Sequence, residues 1–302
     1  FYNSGVDLSI HDGSKDSVFK INDNDLTLLN QGHSNSATPV DLQINALSIV
    51  ASNQSSITID NLDGNNINLD VNTPALVNSS FINGINILLQ NPKINSIATL
   101  VLNSMANNRI NLSSKIRQNG FIHNPSQIGV AISVDGSSTI SQVGNNQILS
   151  DTDYTTLSIE GFALDEHKGF RILSDYLTIQ DVVNNRVTLN TTNEGNAAMQ
   201  IQGHVNFTVN NVSYNKLKIT VAPNNGPGQI VGLLITTLNP NAHMAVSNIN
   251  NNYVTIPIAP HRSSNNGIEI DMPTQSGILT VTNVLHNYIS LTPLNNYSHG
   301  YS

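Results

Sequence analysis

The sequence predicts an all-β fold, a right-handed parallel β-helix of about eight three-strand coils, and two observations support this prediction. One pattern of apolar and polar residues recurs along the whole chain at spacings of 30 to 43 residues. The composition also disfavours long helices, because 48 of the 302 residues are Asn, whose amide competes with the backbone in helix interiors. Ile, Val and Leu dominate the apolar residues, which suits strands.

Each copy of the repeat is centred on an asparagine, which we call its anchor. Apolar residues lie eight, six and three positions before the anchor and two and four positions after it, as in Leu177 to Leu189 (LTIQDVVNNRVTL). Of the 40 such sites in eight copies, 37 are apolar, and the exceptions are Asp16, Ser138 and Ser150. Alternation on both sides of a polar corner predicts two strands, each with one buried face. The anchors are Asn24, Asn65, Asn108, Asn146, Asn185, Asn215, Asn252 and Asn287.

A further apolar stretch precedes the clearest copies and predicts a third strand in each repeat, as in Gly129–Val134, Ala197–Ile201, Gly232–Ile235 and Gly267–Ile270. Such a unit cannot bury its apolar face alone, so stacked copies form a continuous core. Parallel crossovers are strongly biased to the right-handed form. We therefore expect residues 1–302 to form a single β-helix domain. The chain opens at Phe1 without a signal peptide, and we expect it to be a fragment of a longer surface or secreted protein.

The anchors have a structural role in this fold. A side-chain amide at an inward corner can donate to one neighbouring coil and accept from the other, so stacked anchors form an Asn ladder. Asn also tolerates the left-handed backbone that tight corners require. Replacing an anchor with Ala should cost roughly 1–3 kcal/mol, because buried backbone groups lose their partners.

The composition and the net charge exclude or disfavour several classes of functional site and partner. The chain has no Cys, which excludes a disulfide scaffold, a thiolate metal site and a cysteine nucleophile. A net charge of −8 gives no support to a nucleic-acid partner. No apolar run reaches the ~18 residues of a membrane span. None of the nine histidines forms a His-x-His or HExxH spacing, and we predict no metal site and no cofactor.

These Asn-rich, Cys-free repeats resemble the passenger domains of Gram-negative autotransporters and related surface-secreted β-helix proteins. In several repeats a Gly-rich apolar strand is followed by an apolar-x-x-Asn corner, as in Val182-x-x-Asn185 and Val212-x-x-Asn215. This pair of elements is similar to the GGA(I/L/V) and FxxN repeats of chlamydial polymorphic membrane proteins. The resemblance implies a virulence-associated adhesin at the outer membrane or outside the cell. Its partner would be a host-cell surface protein or glycan.

One outward column indicates where such a partner would bind. The residue after each anchor points away from the core, and in the later repeats this column is basic and then aromatic. Arg and Tyr are enriched at binding hot spots, although charged and aromatic side chains also occur on strand faces that are merely solvated. With one further lysine on the same strand face, the candidate binding residues are Arg109, Arg186, Lys216, Lys218, Tyr253 and Tyr288.

The alternative function is a polysaccharide-degrading β-helix enzyme, a lyase or glycosidase with its site near residues 151–171. Asp165-Glu166-His167-Lys168 and Arg171 form the densest cluster of titratable residues, with Asp151 and Asp153 shortly before it. Glycosidases need paired carboxylates, but a solvated loop explains the same cluster, and we assign no catalytic residue. A third alternative is a stalk without a binding site. The sequence therefore favours a non-catalytic, surface-displayed or secreted binding protein.

Overall fold

The computed structural model describes residues 2–10, 17–31, 40–52, 56–90, 97–118, 126–156, 166–191, 196–221, 229–258, 264–272 and 276–293. The regular elements in these ranges are twenty strands, β1 to β20. The strand pairs found among them are all parallel. The prediction of an all-β chain with parallel strands is confirmed, and this arrangement is consistent with a β-helix or solenoid.

The strands form three ladders, which we name A, B and C. Ladder A contains β1 (Tyr2–Ile10), β4 (Val40–Ser52), the later part of β6 (Asn66–Gln90), the first parts of β9 (Ser126–Gly144), β11 (Glu166–Val183) and β13 (Asn196–Ser213), β15 (Gln229–Thr236) and β18 (Ser264–Asp271). Ladder B contains β2 (Ser17–Lys20), β5 (Ser56–Asn61), β7 (Ala98–Ala106), the later parts of β9, β11 and β13, β16 (His243–Asn250) and β19 (Ile278–Leu285). Ladder C contains β3 (Asp25–Gln31), the first part of β6, β8 (Arg109–Gln118), β10 (Gln147–Thr156), β12 (Arg186–Thr191), β14 (Lys216–Val221), β17 (Tyr253–Ile258) and β20 (Tyr288–Pro293).

The inward side chains of the three ladders form one apolar core. In β14, for example, buried Leu217, Ile219 and Val221 alternate with exposed residues. The apolar columns found in the sequence lie in this core, where Ile179 and Val187 have no exposed surface. Each fully buried side chain of this size contributes roughly 1.5–3 kcal/mol relative to an exposed one. The stacking of like residues over like therefore stabilises the fold as far as β17, whereas β19 and β20 of the last repeat leave the same apolar columns exposed at an open end of the core.

The eight anchors form a continuous column of hydrogen-bonded amides. The Oδ1 atom of Asn215 accepts hydrogen bonds from the backbone N–H and the side-chain amide of Asn185, both at 3.0 Å. The second amide hydrogen of Asn185 is donated to the carbonyl oxygen of Val143 at 2.9 Å. The same three contacts recur from anchor to anchor between Asn24 and Asn287. Since most of these amides are buried, the column satisfies polar groups that water does not reach.

The left-handed residue of each corner is the one before the anchor. Its φ angle lies between 55° and 70° in all eight repeats. Asn fills this position most often, and it is the side chain that best tolerates this region apart from Gly. These residues are Asp23, Gly64, Asn107, Asn145, Asn184, Tyr214, Asn251 and His286. The two residues therefore have different roles. The residue before the anchor turns the chain at the corner, and the anchor forms the hydrogen bonds between neighbouring repeats.

Ladder A contains a column of small residues that the sequence analysis found only in part. It consists of Gly5, Ala46, Gly84, Gly129, Gly169, Ala198, Gly232 and Gly267. A Cβ atom on Gly129 would lie 2.7 Å from the carbonyl oxygen of Gly169 and 2.7 Å from the side chain of Ile148. Ladders A and C therefore approach each other so closely at this column that only small side chains fit.

Candidate functional sites

The residues after the anchors form one column on the exposed face of ladder C. Parallel pairing places Asp25, Asn66, Arg109, Gln147, Arg186, Lys216, Tyr253 and Tyr288 side by side in this order. Lys218 lies two residues along the same strand face, paired with Thr188 and Thr255. The six candidate binding residues are all exposed. We call these six residues the stripe.

The aromatic end of the stripe has a defined geometry. The rings of Tyr253 and Tyr288 are stacked, with centroids 4.7 Å apart and planes 8° from parallel. Their exposed fractions are 46% and 56%, so the outer ring edges and the hydroxyl groups face solvent. Lys216 precedes Tyr253 in the column and Arg186 precedes Lys216. The stripe thus joins two neighbouring cations to a flat aromatic surface.

A second feature lies on the outer face of ladder A, where β4, β6, β9 and β11 form a groove of about 320 Å³. Its lining includes Phe81, Asn83, Asn86 and Arg171. The Phe81 side chain is 49% exposed. No sequence pattern indicated Phe81, Asn83 or Asn86. No local signal marks them, because the same outward columns of ladder A carry Gln43, Lys168 and Gln200 in other repeats.

Beside the groove, Glu166 binds two cations. Its Oε1 atom lies 3.1 Å from Lys168 Nζ and its Oε2 atom lies 2.9 Å from an Arg171 guanidinium nitrogen. Burial raises the pKa of Glu166, but the charges of Lys168 and Arg171 and the hydrogen bond from Lys168 outweigh burial, so this pKa lies below its usual value. Burial lowers the pKa of Lys168, and Glu166 only partly opposes the effect. The Nε atom of Arg171 is buried and has no hydrogen-bond partner among the described residues.

His167 lies between these charged residues in sequence but points into the core. Its side chain is 1% exposed, and its Nε2 atom lies 2.7 Å from Ser150 Oγ. Gln127 donates to the same Ser150 oxygen at 2.7 Å and accepts a hydrogen bond from Ser114. Burial lowers the pKa of His167 to about 3, so the ring is neutral at neutral pH. The Ser150–His167 spacing suits a nucleophile and its base, but both side chains are buried, and the contact satisfies polar groups inside the core.

The cluster at residues 151–171 is thus divided between two faces and the interior. Asp151 lies on ladder C, where its carboxylate accepts a hydrogen bond from Asn190, whereas Glu166 and Arg171 lie on ladder A. Asp165 lies outside the described residues, as does the side chain of Asp153. The described part of the cluster therefore does not form a site with paired carboxylates.

A smaller groove of about 260 Å³ on ladder C brings a different pair of carboxylates together. Asp70 and Asp151 both line it, and both pair with Ser113 in the strand between them. Two strand spacings place their backbones about 10 Å apart. Distant parts of the sequence meet here, which no local motif could have indicated.

A carboxylate–imidazole pair lies at the corner between ladders A and B. The Nδ1 atom of His204 is 3.1 Å from Asp175 Oδ1, and both side chains are about two-fifths exposed. The Nε2 atom of His204 faces Gln202 at 3.0 Å, and Gln200 donates to Gln202. Exposed pairs of this kind typically contribute less than about 1 kcal/mol to stability.

Other kinds of site were sought in the described part of the chain. No group of three or more His, Asp or Glu side chains with the geometry of a metal site occurs there. Within the same ranges, no helix is long and apolar enough to cross a membrane. Comparisons of this chain with protein families, with curated proteins and with solved structures each find no match. The chemistry of its own residues is therefore the basis for assigning a function.

Proposed function

We propose that this chain is part of a secreted or surface-displayed bacterial β-helix that binds a host-cell surface protein or glycan without catalysis. The fold would be a right-handed parallel β-helix of eight three-strand coils, one for each anchor. The three ladders and the column of anchors support this coil count, and the strong right-handed bias of parallel crossovers supports the handedness. The resemblance to autotransporter passengers supports a location outside the cell or at the bacterial cell surface.

The observation that carries the binding function is the stacked pair of Tyr253 and Tyr288 at the end of the stripe. Stacked tyrosines on a strand face offer a rigid, amphipathic surface at low entropic cost, which suits recognition. Strand pairing places Lys216 beside Tyr253 and Arg186 one strand further along the column, so a partner that extends along the column from the rings meets two cations. The chain as a whole carries a charge of −8, and this local excess of positive charge therefore stands out.

The test is a triple variant, Arg186→Ala, Lys216→Ala and Tyr253→Ala. We expect it to abolish binding to cultured host cells and to immobilised host glycans without changing the melting temperature, since all three side chains are exposed. The matched control removes two cations and one tyrosine elsewhere, by Lys20→Ala, Lys115→Ala and Tyr176→Ala, all at exposed positions. Unchanged binding by the first variant, or an equal loss in the control, would exclude the stripe.

The groove that contains Asp70 and Asp151 supports the second candidate, a polysaccharide-degrading enzyme. Inverting glycosidases hold two carboxyl groups roughly 6.5–9.5 Å apart, close to the spacing expected here. If this candidate is correct, the protein cleaves a polysaccharide, and Asp70→Asn and Asp151→Asn each reduce the rate by orders of magnitude. Reducing-end release from a panel of polysaccharides distinguishes the two functions, because the binding protein releases none.

A further inference from the structure

The groove on ladder A combines two features that a closed, purely structural surface does not need. It leaves an aromatic ring, Phe81, half exposed at its rim, and it places a guanidinium group, Arg171, in its wall. The inner positions are lined by amide and small apolar side chains, such as Asn86 and Ala131. Ligand sites typically have this composition, an apolar lining with a few polar groups that fix orientation.

The charges beside the groove are not balanced among the described residues. One carboxylate, Glu166, faces two cations, Lys168 and Arg171, so the network carries one excess positive charge. The Lys168 side chain is only 8% exposed, and water screens its charge poorly. Glu166 is the one carboxylate shared by the two cations, so an anionic ligand would supply the second negative charge.

Arg171 is the group best placed to receive this anion. Glu166 occupies one edge of its guanidinium group at 2.9 Å, while Nε has no partner among the described residues. Guanidinium groups bind carboxylates well, and about a third of the Arg171 side chain is exposed in the groove wall, where a carboxylate can reach it. A single excess charge also matches a carboxylate better than a doubly charged phosphate.

The dimensions of the groove indicate what else the ligand contains. Phe81 belongs to β6 and Arg171 to β11, with β9 between them in ladder A. Phe81 pairs through Ser126 with Glu166, whereas Arg171 pairs through Ala131 with Asn86. The two residues are therefore two strand spacings, about 10 Å, apart along the stack and also five residues apart along the strands. A volume of about 320 Å³ and amides along the wall suit a hydroxylated molecule of about two sugar rings.

We propose that this groove binds an acidic saccharide, with the sugar carboxylate on Arg171 and a sugar ring against Phe81. The site lies on ladder A, separate from the stripe on ladder C, and does not depend on the function proposed for the stripe. Glu166 holds the guanidinium group in place, while Asn86 in the groove lining meets the hydroxyl groups.

Isothermal titration calorimetry of the whole chain with digalacturonate tests the proposal, with the neutral disaccharide galactobiose and with acetate as comparison ligands. We expect saturable binding of digalacturonate, at least about tenfold weaker binding of galactobiose, and weaker binding still of acetate. Arg171→Gln should weaken digalacturonate binding at least about tenfold, and Phe81→Ala several-fold. Lys20→Gln removes an exposed cation elsewhere and should leave binding unchanged.

Several results would overturn the proposal. The first is the absence of saturable digalacturonate binding. The second is that Arg171→Gln and the unmodified chain bind digalacturonate equally well, and the third is that the chain binds galactobiose as tightly as digalacturonate. Acetate binding as tightly as digalacturonate would reduce the site to a general anion site. Because Phe81 is half exposed, Phe81→Ala should fold normally, and it keeps the test decisive if Arg171→Gln is unstable.

Discussion

The Oδ1 atom of Asn185 accepts two hydrogen bonds from one residue, at 3.2 Å from the backbone nitrogen of Asn146 and at 3.0 Å from its side-chain nitrogen. Both residues are buried, so water cannot replace either bond. Asn185→Ala should therefore lower the free energy of unfolding by roughly 1–3 kcal/mol. Urea denaturation measures this loss. Asn103→Ala is the control, because Asn103 is exposed and bonds only to surface Asp60, and an equal loss there would contradict the role of the column.

Acid should destabilise the fold through His167. Burial holds the pKa of its ring at about 3 in the folded chain, below the usual value of 6.5, so the unfolded chain takes up a proton first as the pH falls. The free energy of unfolding is therefore unaffected by this group above about pH 6.5 and falls as the pH drops from there toward 3. At pH 4 the loss relative to neutral pH is about 3 kcal/mol. The lowered pKa of Glu166 acts in the same direction, also losing stability as the pH falls.

His167→Gln separates the two contributions, because glutamine keeps a donor for Ser150 but does not titrate. Denaturant unfolding at pH 7 and pH 4 should show a smaller loss in this variant than in the unmodified chain. His243→Gln, at an exposed histidine, is the control for the loss of one imidazole. The same pH dependence in His167→Gln would show that other groups cause the acid destabilisation.

Tyr214 occupies the left-handed position of its corner, with a φ of 60°. Most side chains are strained there, whereas Asn fills the same position in several other repeats. The Tyr214 side chain is 59% exposed, so little packing is lost on replacement. Tyr214→Asn should raise the free energy of unfolding by about 0.5–1 kcal/mol. Tyr176→Asn, at an exposed tyrosine whose φ is not positive, should give no gain in the same denaturation experiment.

Gly169 belongs to the column of small residues where ladders A and C lie close together. A Cβ atom there would lie 2.5 Å from the carbonyl oxygen of Ala198 and still closer to the side chain of Val187. Gly169→Ala should therefore cost about 1–3 kcal/mol by overpacking. Gly144→Ala is the control, because its Cβ atom would meet its nearest neighbour, the Gln142 side chain, at 3.2 Å. Thermal unfolding that shows no difference between the two variants would contradict the close approach.

The sequence predicted the parts of the fold that repeat. The apolar columns and the anchors recur at fixed offsets, so the repeat was visible without coordinates. Two of the polar exceptions also become clear, because Ser138 donates to Ser174 and Ser150 contacts His167, each one repeat further along ladder A. A polar residue in an apolar column indicates that a buried hydrogen bond is present. The sequence could not identify the partner, because the partner depends on the register between the ladders.

The groove could not be predicted for the same reason. Phe81 and Arg171 are far apart in sequence, and the number of residues between repeats varies, so their register across the stack was not determined by any local pattern. His167 was placed in a charged surface cluster because its neighbours are charged. The alternation of the strand instead turns it inward and leaves Glu166 outside.

The amides of the anchor column all have the same orientation. Each side-chain oxygen faces the repeat before it and each side-chain nitrogen faces the repeat after it, from Asn24 to Asn287. The two ends of the column are therefore chemically different, with an acceptor at Asn24 and donors at Asn287. A contact with two-fold symmetry would place like groups against like, whereas a head-to-tail contact would continue the column. Any β-structure that continues this column must therefore have its side-chain amides in the same orientation as those of the chain.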